Sequence, residues 1–224
     1  MRTATLINLA LSMGLPLGLA FLLMIKDKSW AKALLLGVTT FLVFQVFTRI
    51  PLLQLVLANQ VWYILFTYKF PILYIFLLSL SAGLFEEIGR YLVMKKWLKK
   101  ANFMHVFSFG IGHGGIEAIL LVGLGVLLMD VSSVNDFSLI MGGVERVFAL
   151  CMHLAFSYMV YAQVSKRHKQ GLVLAILSHT VVNFIAVYAM SLGYGILVVE
   201  SILFVMASLA IVYVVRERRR FNET

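Results

Sequence analysis

Glu86 and Glu87 stand side by side, and Arg90 follows four and three positions later, in a stretch otherwise fit for hydrocarbon. His113 and Glu117 are four apart, as are His179 and Asn183, while Glu145 and His153 are eight apart. A helix projects such positions from one face, so each set can present its polar groups together, and Arg90 can neutralise one of the two carboxylates. An ionisable side chain at mid-membrane costs about 2.5–3.5 kcal/mol on insertion scales. Such groups persist by pairing, by binding a metal or by lining a wet cavity. Glutamate, histidine and asparagine together are what hydrolysis of a peptide bond asks for. They supply a base for water, a charge or donor at the carbonyl oxygen and a proton for the leaving amine. The same residue types also build proton relays in transporters.

The elements that carry them are membrane helices. Of 224 residues, 62% are hydrophobic and 13% charged, with a mean hydropathy of +0.96. Soluble domains run about 45–50% apolar and about 25% charged, so a soluble fold is excluded. Cys151 stands alone, which excludes an intramolecular disulfide framework and a cysteine-rich metal site. Apolar runs between polar breaks predict about seven spans, at 3–24, 33–57, 69–93, 104–128, 137–165, 171–189 and 192–214. Arg49-Ile50-Pro51 is expected to break the second, and 52–68 is a candidate separate short helix, which makes eight elements. The expectation is an all-α polytopic transmembrane bundle, with residues 1–224 as a single domain. Span one is expected to stay uncleaved, because Lys26 and Lys28 follow it like a cytoplasmic stop and no small-residue cleavage site is apparent.

The net charge of +9 reads as topology rather than nucleic-acid binding, because the cations cluster beside the spans. Lys26, Lys28 and Lys32, then Lys95, Lys96, Lys99 and Lys100, then Lys166, Arg167 and Lys169, then Arg216, Arg218, Arg219 and Arg220 all fall on one side of a seven-span chain. The opposite loops hold Asp130 and Asp136 and little positive charge beyond Arg2 and Lys69. The positive-inside rule makes the clustered side, with the C-terminus, cytoplasmic. Counted from that side, Glu86/Glu87, His113 and His179 lie roughly seven to nine residues deep, or about 10–14 Å at ~1.5 Å rise. A shared depth is what one assembled site requires. Gly110, Gly112, Gly114 and Gly115, crowded around His113 in "GIGHGGIEA", are expected to permit close helix contact or the approach of a backbone to that site.

At these residues the chain resembles the CAAX-protease and bacteriocin-processing superfamily of intramembrane peptidases. That pattern is Glu-Glu followed by Arg, then Phe-x-x-x-His, then His-x-x-x-Asn on separate helices. It is met here by "EEIGR" (Glu86, Glu87, Arg90), "FGIGH" (Phe109 to His113) and "HTVVN" (His179 to Asn183). Within it the chain is most similar to the YhfC-like intramembrane metallopeptidases, whose "RIPLL", "FEEIGRY" and "GHGGIEA" stretches are residues 49–53, 85–91 and 112–118. Two residues separate Glu87 from Arg90, where the broader superfamily has three, which leaves open which glutamate activates water. His113-x-x-x-Glu117 also resembles a motif of the PrsW-like proteases, which brings Glu117 toward the site.

The resemblance implies an intramembrane endopeptidase of a bacterial plasma membrane, acting on a membrane-associated protein or peptide near the cytoplasmic half of the bilayer. Its catalytic candidates are Glu86, Glu87, Arg90, His113, His179 and Asn183. Two histidines and a carboxylate can hold a catalytic zinc. His113, Glu117 and His179 are the candidate ligands, with Glu87 an alternative to Glu117 and Glu86 as base. In a metal-free scheme a glutamate and His113 activate water, while His179 and Asn183 stabilise the oxyanion. Gln45 and Arg49, four apart, either orient a site carboxylate or satisfy one another. His153 is expected to be a hydrogen-bonded bundle histidine, Glu145-Arg146 a structural ion pair or part of the site, and His105 and His168 are given no role. A proton-coupled transporter and a catalytically silent scaffold are the competing functions.

Overall fold

A computed structural model describes residues 2–222, and the side chains of residues 2–221. Among these the chain is all helix, with no strand. Seven helices are long and apolar enough to cross a membrane: α1 (Thr3–Lys26), α2 (Lys28–Asn59), α4 (Pro71–Trp97), α5 (Phe103–Leu128), α6 (Asp136–Val164), α7 (Gly171–Ser191) and α8 (Ile196–Phe221). A short α3 (Val61–Lys69) joins α2 to α4, so the count of eight elements holds. That short helix begins at Val61, however, and not near residue 52.

Proline 51 does not break α2, contrary to the sequence expectation. The helix runs through it with wide π turns on either side, at Leu42–Arg49 and Leu52–Val56. Such turns re-pair backbone carbonyls that a proline cannot serve, which matters where no water can do so. The other helix starts follow local chemistry. Asp27 accepts from the Ser29 amide at 2.7 Å to open α2, and Asn135 accepts from the Ser138 amide at 2.8 Å to open α6. Asn102 and His105 form a reciprocal capping box at the start of α5, which gives His105 a structural role. Pro71 opens α4, where its missing N–H costs nothing.

α6 is the central column, packed against α1, α5, α7 and α8. α5 lies along α2, and α4 along α7. The α2–α5 contact is backbone on backbone. A Cβ on Gly37 would sit 2.1 Å from the Phe109 carbonyl, and one on Gly112 would sit 2.1 Å from the Leu34 carbonyl. Gly110 and Gly114 face Leu154 and His153 on α6, and Gly115 faces Pro16 on α1. The glycines around His113 therefore each admit a neighbouring helix.

Candidate active site

Glu86 sits at the crossing of α2, α4, α5, α6 and α7, and it is buried, as are Glu87, Arg90, His113, His153 and His179. Its Oε2 meets His113 Nε2 at 2.9 Å, and its Oε1 accepts from Gln45 Nε2. His153 Nδ1 and His179 Nε2 each lie 3.9 Å from one of its oxygens. The next carboxylate points elsewhere: Glu87 Oε1 meets His179 Nδ1 at 2.8 Å. That contact commits the Nδ1 proton of His179 to Glu87 and turns the Nε2 lone pair toward Glu86, the wiring by which an outer carboxylate orients a metal-binding histidine.

Arg90 holds this arrangement together. Its Nε lies 3.2 Å from Glu87 and its Nη2 3.5 Å from Glu86. Nη1 donates to the His153 carbonyl at 2.9 Å and to Ser157 Oγ at 2.8 Å. Nη2 is also 2.6 Å from His153 Nδ1. A guanidinium has only donors, so His153 Nδ1 must be the acceptor and Nε2 must carry the proton. That proton points at Glu117 Oε2, 2.8 Å away. Glu117 in turn lies 3.3 Å from Arg146 Nη1, and Arg146 also bonds Glu145.

A cavity of about 350 Å³ opens onto this cluster. Glu86, His179 and Asn183 line it, together with Glu117, Glu145, Arg146, His153, Gln45 and Arg49. Glu87, Arg90 and His113 do not; they lie behind Glu86 and His179, with no surface exposed. The candidates thus divide into groups that face the cavity and groups that hold them.

Two trios bring ligand atoms within 4.8 Å of one another: Glu86, His113 and His153, and Glu86, Glu87 and His179. Glu86 belongs to both, and Glu117 to neither. The expected ligand set of His113, Glu117 and His179 therefore does not form one group; Glu117 is taken up by His153 and Arg146. The first trio has Arg90 sitting on His153 Nδ1, a cation where a metal would bind. Glu86 joins His113 of the first trio to His179 of the second; neither trio holds both histidines, but the three residues together have the two-histidine, one-carboxylate chemistry that suits a zinc-type ion. His113 Nδ1 is buried without a hydrogen-bond partner, between the rings of Phe41 and Phe109. All the polar chemistry of that ring is therefore at Nε2, on Glu86.

The chain matches the family model described as YhfC intramembrane metalloprotease over residues 11–136 and 126–207. It belongs to that family. The uncharacterized membrane protein YhfC of Bacillus subtilis (strain 168) is 29% identical over 175 aligned residues, which cover 64% of this chain and 68% of that protein. No solved structure matches. As a YhfC family member with seven spanning-capable helices, the protein is a multi-pass membrane protein.

His153 is the hydrogen-bonded bundle histidine expected from the sequence. Its spacing from Glu145 pointed along its own helix, whereas its partners, Arg90 and Glu117, lie on two others. Glu200 on α8 was missed altogether. It is buried, its Oε2 has no hydrogen-bond partner, and it lies within electrostatic reach of Glu145 and Arg146. A carboxylate inside an apolar run was the available signal. Glu145-Arg146 is more than a local pair, since Arg146 also reaches Glu117. His168 Nδ1 accepts from the Gln170 amide at 3.2 Å in a loop and has no part in the site.

Proposed function

We propose that this YhfC family member is an intramembrane endopeptidase that depends on a metal, zinc by donor chemistry, held by Glu86, His113 and His179. The observation that carries this reading is the orientation of His179. Its Nδ1 is committed to Glu87 at 2.8 Å, and its Nε2 faces Glu86 at the floor of a cavity. Bound there, such an ion polarises a carbonyl and lowers the pKa of water. The chain's own residues do the rest. Arg90 offsets the charge of Glu87 and fixes His153. The Glu117–His153 pair, with its proton on Nε2, stands at the cavity wall where a proton can be taken from water and returned to a leaving amine. Asn183, one turn beyond His179 and also facing the cavity, supplies a neutral N–H donor for the developing oxyanion.

The test is elemental analysis of protein purified without chelators, alongside the His179→Ala and Glu86→Gln variants, paired with a comparison of new protein N-termini in membranes of cells making each form. The expected result is near-stoichiometric transition metal and wild-type-specific cleavage products, both lost in the variants. Products without metal would remove the ion and leave Glu86 with His113 as the base. Neither metal nor products would overturn the peptidase reading.

A further inference from the structure

The cavity has a closed end and an open end, and the direction of the helices says which face each belongs to. On α4 and α6, which run toward the lysine-rich loops, the lining residues precede the site: Leu78 and Ala82 come before Glu86, and Arg146 and Ala149 before His153. On α2, α5 and α7, which run the other way, they follow the site level: Arg49 after Gln45, Leu121 after Glu117, and Ala186 and Met190 after His179. Apart from Phe41 and Phe156, which lie about one turn to the basic side, the lining on these five helices runs from the site toward the same face, the one opposite Lys95–Lys100 and Lys166–Lys169. Burial follows the same gradient. Phe41, Glu86, Phe156 and His179 at the floor are buried, while Leu121, Val187 and Met190 are 53%, 41% and 67% exposed. Beneath the floor, Phe109, His113 and Arg90 are fully enclosed, and none of them lines the cavity.

We infer that the site, although set at a depth nearer the basic face, is fed from the opposite one, and that its substrate is an extended polypeptide segment presented from the extracytoplasmic side. This rests on the peptidase reading for the word substrate and on the positive-inside rule for the identity of the outer face. The volume of about 350 Å³ is at the small end of ligand sites, enough for a few extended residues and too small for a folded one. The apolar mouth at Leu121, Val187 and Met190 suits a segment leaving the outer leaflet, and the polar groups deeper in suit its backbone. Cytosolic tails would meet the face on which Phe109, His113 and Arg90 are enclosed, so they are not the expected substrates.

Accessibility tests this without catalysis. In a Cys151→Ala background, single variants Ala186→Cys in the cavity and Met190→Cys at its mouth are made in bacterial cells and exposed to a membrane-impermeant thiol reagent. Ser133→Cys in the loop before α6 and Lys169→Cys in the loop before α7 mark the two faces. Met190→Cys and Ala186→Cys are expected to react in intact cells with Ser133→Cys, the cavity position more slowly, and Lys169→Cys only after permeabilisation. Reaction of Ala186→Cys only with Lys169→Cys, or from neither side, would overturn the outer mouth. Reversal of the two loop markers would overturn extracytoplasmic supply. Adding Glu86→Gln abolishes any peptidase activity and should leave the labelling unchanged, so failure of this inference is distinguishable from failure of the catalytic one.

Discussion

The two sides of Glu86 are built on different terms. Behind it, Glu87, Arg90 and His113 have no exposed surface, and Arg90 alone touches both glutamates, the His153 ring, the His153 carbonyl and Ser157. In front of it, His179, Glu117 and Asn183 line a cavity, and Asn183 is only partly buried. Motif residues that look equivalent in the sequence therefore do two jobs. Glu87 and Arg90 hold charge in place behind Glu86, His113 reaches Glu86 from the same side through Nε2, and the front set faces the cavity. Their variants should fail differently, in stability on one side and in rate on the other.

The sharpest break should come from Arg90→Ala. It leaves two buried carboxylates without their arginine and His153 Nδ1 without its donor, and removing one partner of a buried ion pair costs about 3–5 kcal/mol. Thermal unfolding in detergent should show a large loss or no folded protein. Arg90→Lys should recover little, because one ammonium cannot replace a fork that reaches α4 and α6 together. A fully stable Arg90→Ala protein would erase the distinction between the two sides. Asn183→Ala, in front, should do the reverse. Cleavage of a substrate identified in cells should slow about 10²–10³-fold, the usual cost of one oxyanion donor (about 2.7–4 kcal/mol), with unfolding unchanged. Loss of stability without loss of rate would move Asn183 to the structural side.

Much of this was legible in the sequence because hydrocarbon makes a polar residue conspicuous. Glu86, Glu87, Arg90, His113 and His179 could be placed at one depth from residue counts alone, and the structure brings them together about two to three turns from the basic ends of their helices. Partners were harder to see. His153 meets Arg90 and Glu117 through a crossing of three helices, which no spacing within one helix encodes. Proline 51 looked like a break because a sequence shows the missing N–H and not the π turns that compensate for it. The glycines around His113 announced close packing without saying against what. Gly112→Ala sharpens that point. Its Cβ would fall 2.1 Å from the Leu34 carbonyl, a backbone atom that cannot rotate away, so the α2–α5 contact must open at a cost of about 1–3 kcal/mol. Gly125→Ala on the same helix, with nothing within 4 Å of its Cβ, should be neutral or slightly stabilising. Equal unfolding temperatures for the two would refute the close contact.

The smallest effect tests where the boundary between the two sides runs. Gln45 lines the cavity yet donates to Glu86 Oε1, so it belongs to both. Which end of its amide faces Glu86 follows from Arg49. Arg49 Nη1 is 3.2 Å from Gln45 Oε1, and a guanidinium can only donate, so the oxygen must face it and the NH₂ must face the carboxylate. Arg49 is itself tied to α4 by Ser81 Oγ at 2.9 Å and the Leu78 carbonyl at 2.8 Å. The orientation of Glu86 is thus set from outside its own helix, by a residue one turn along α2. Gln45→Ala removes a single hydrogen bond to a charged group, and His113 still holds the other oxygen. The turnover rate should fall about tenfold, which is about 1.4 kcal/mol, with KM and metal content unchanged. A change in KM instead would make Gln45 a substrate contact and place it wholly in front. A loss of metal would place it among the groups that hold the ion.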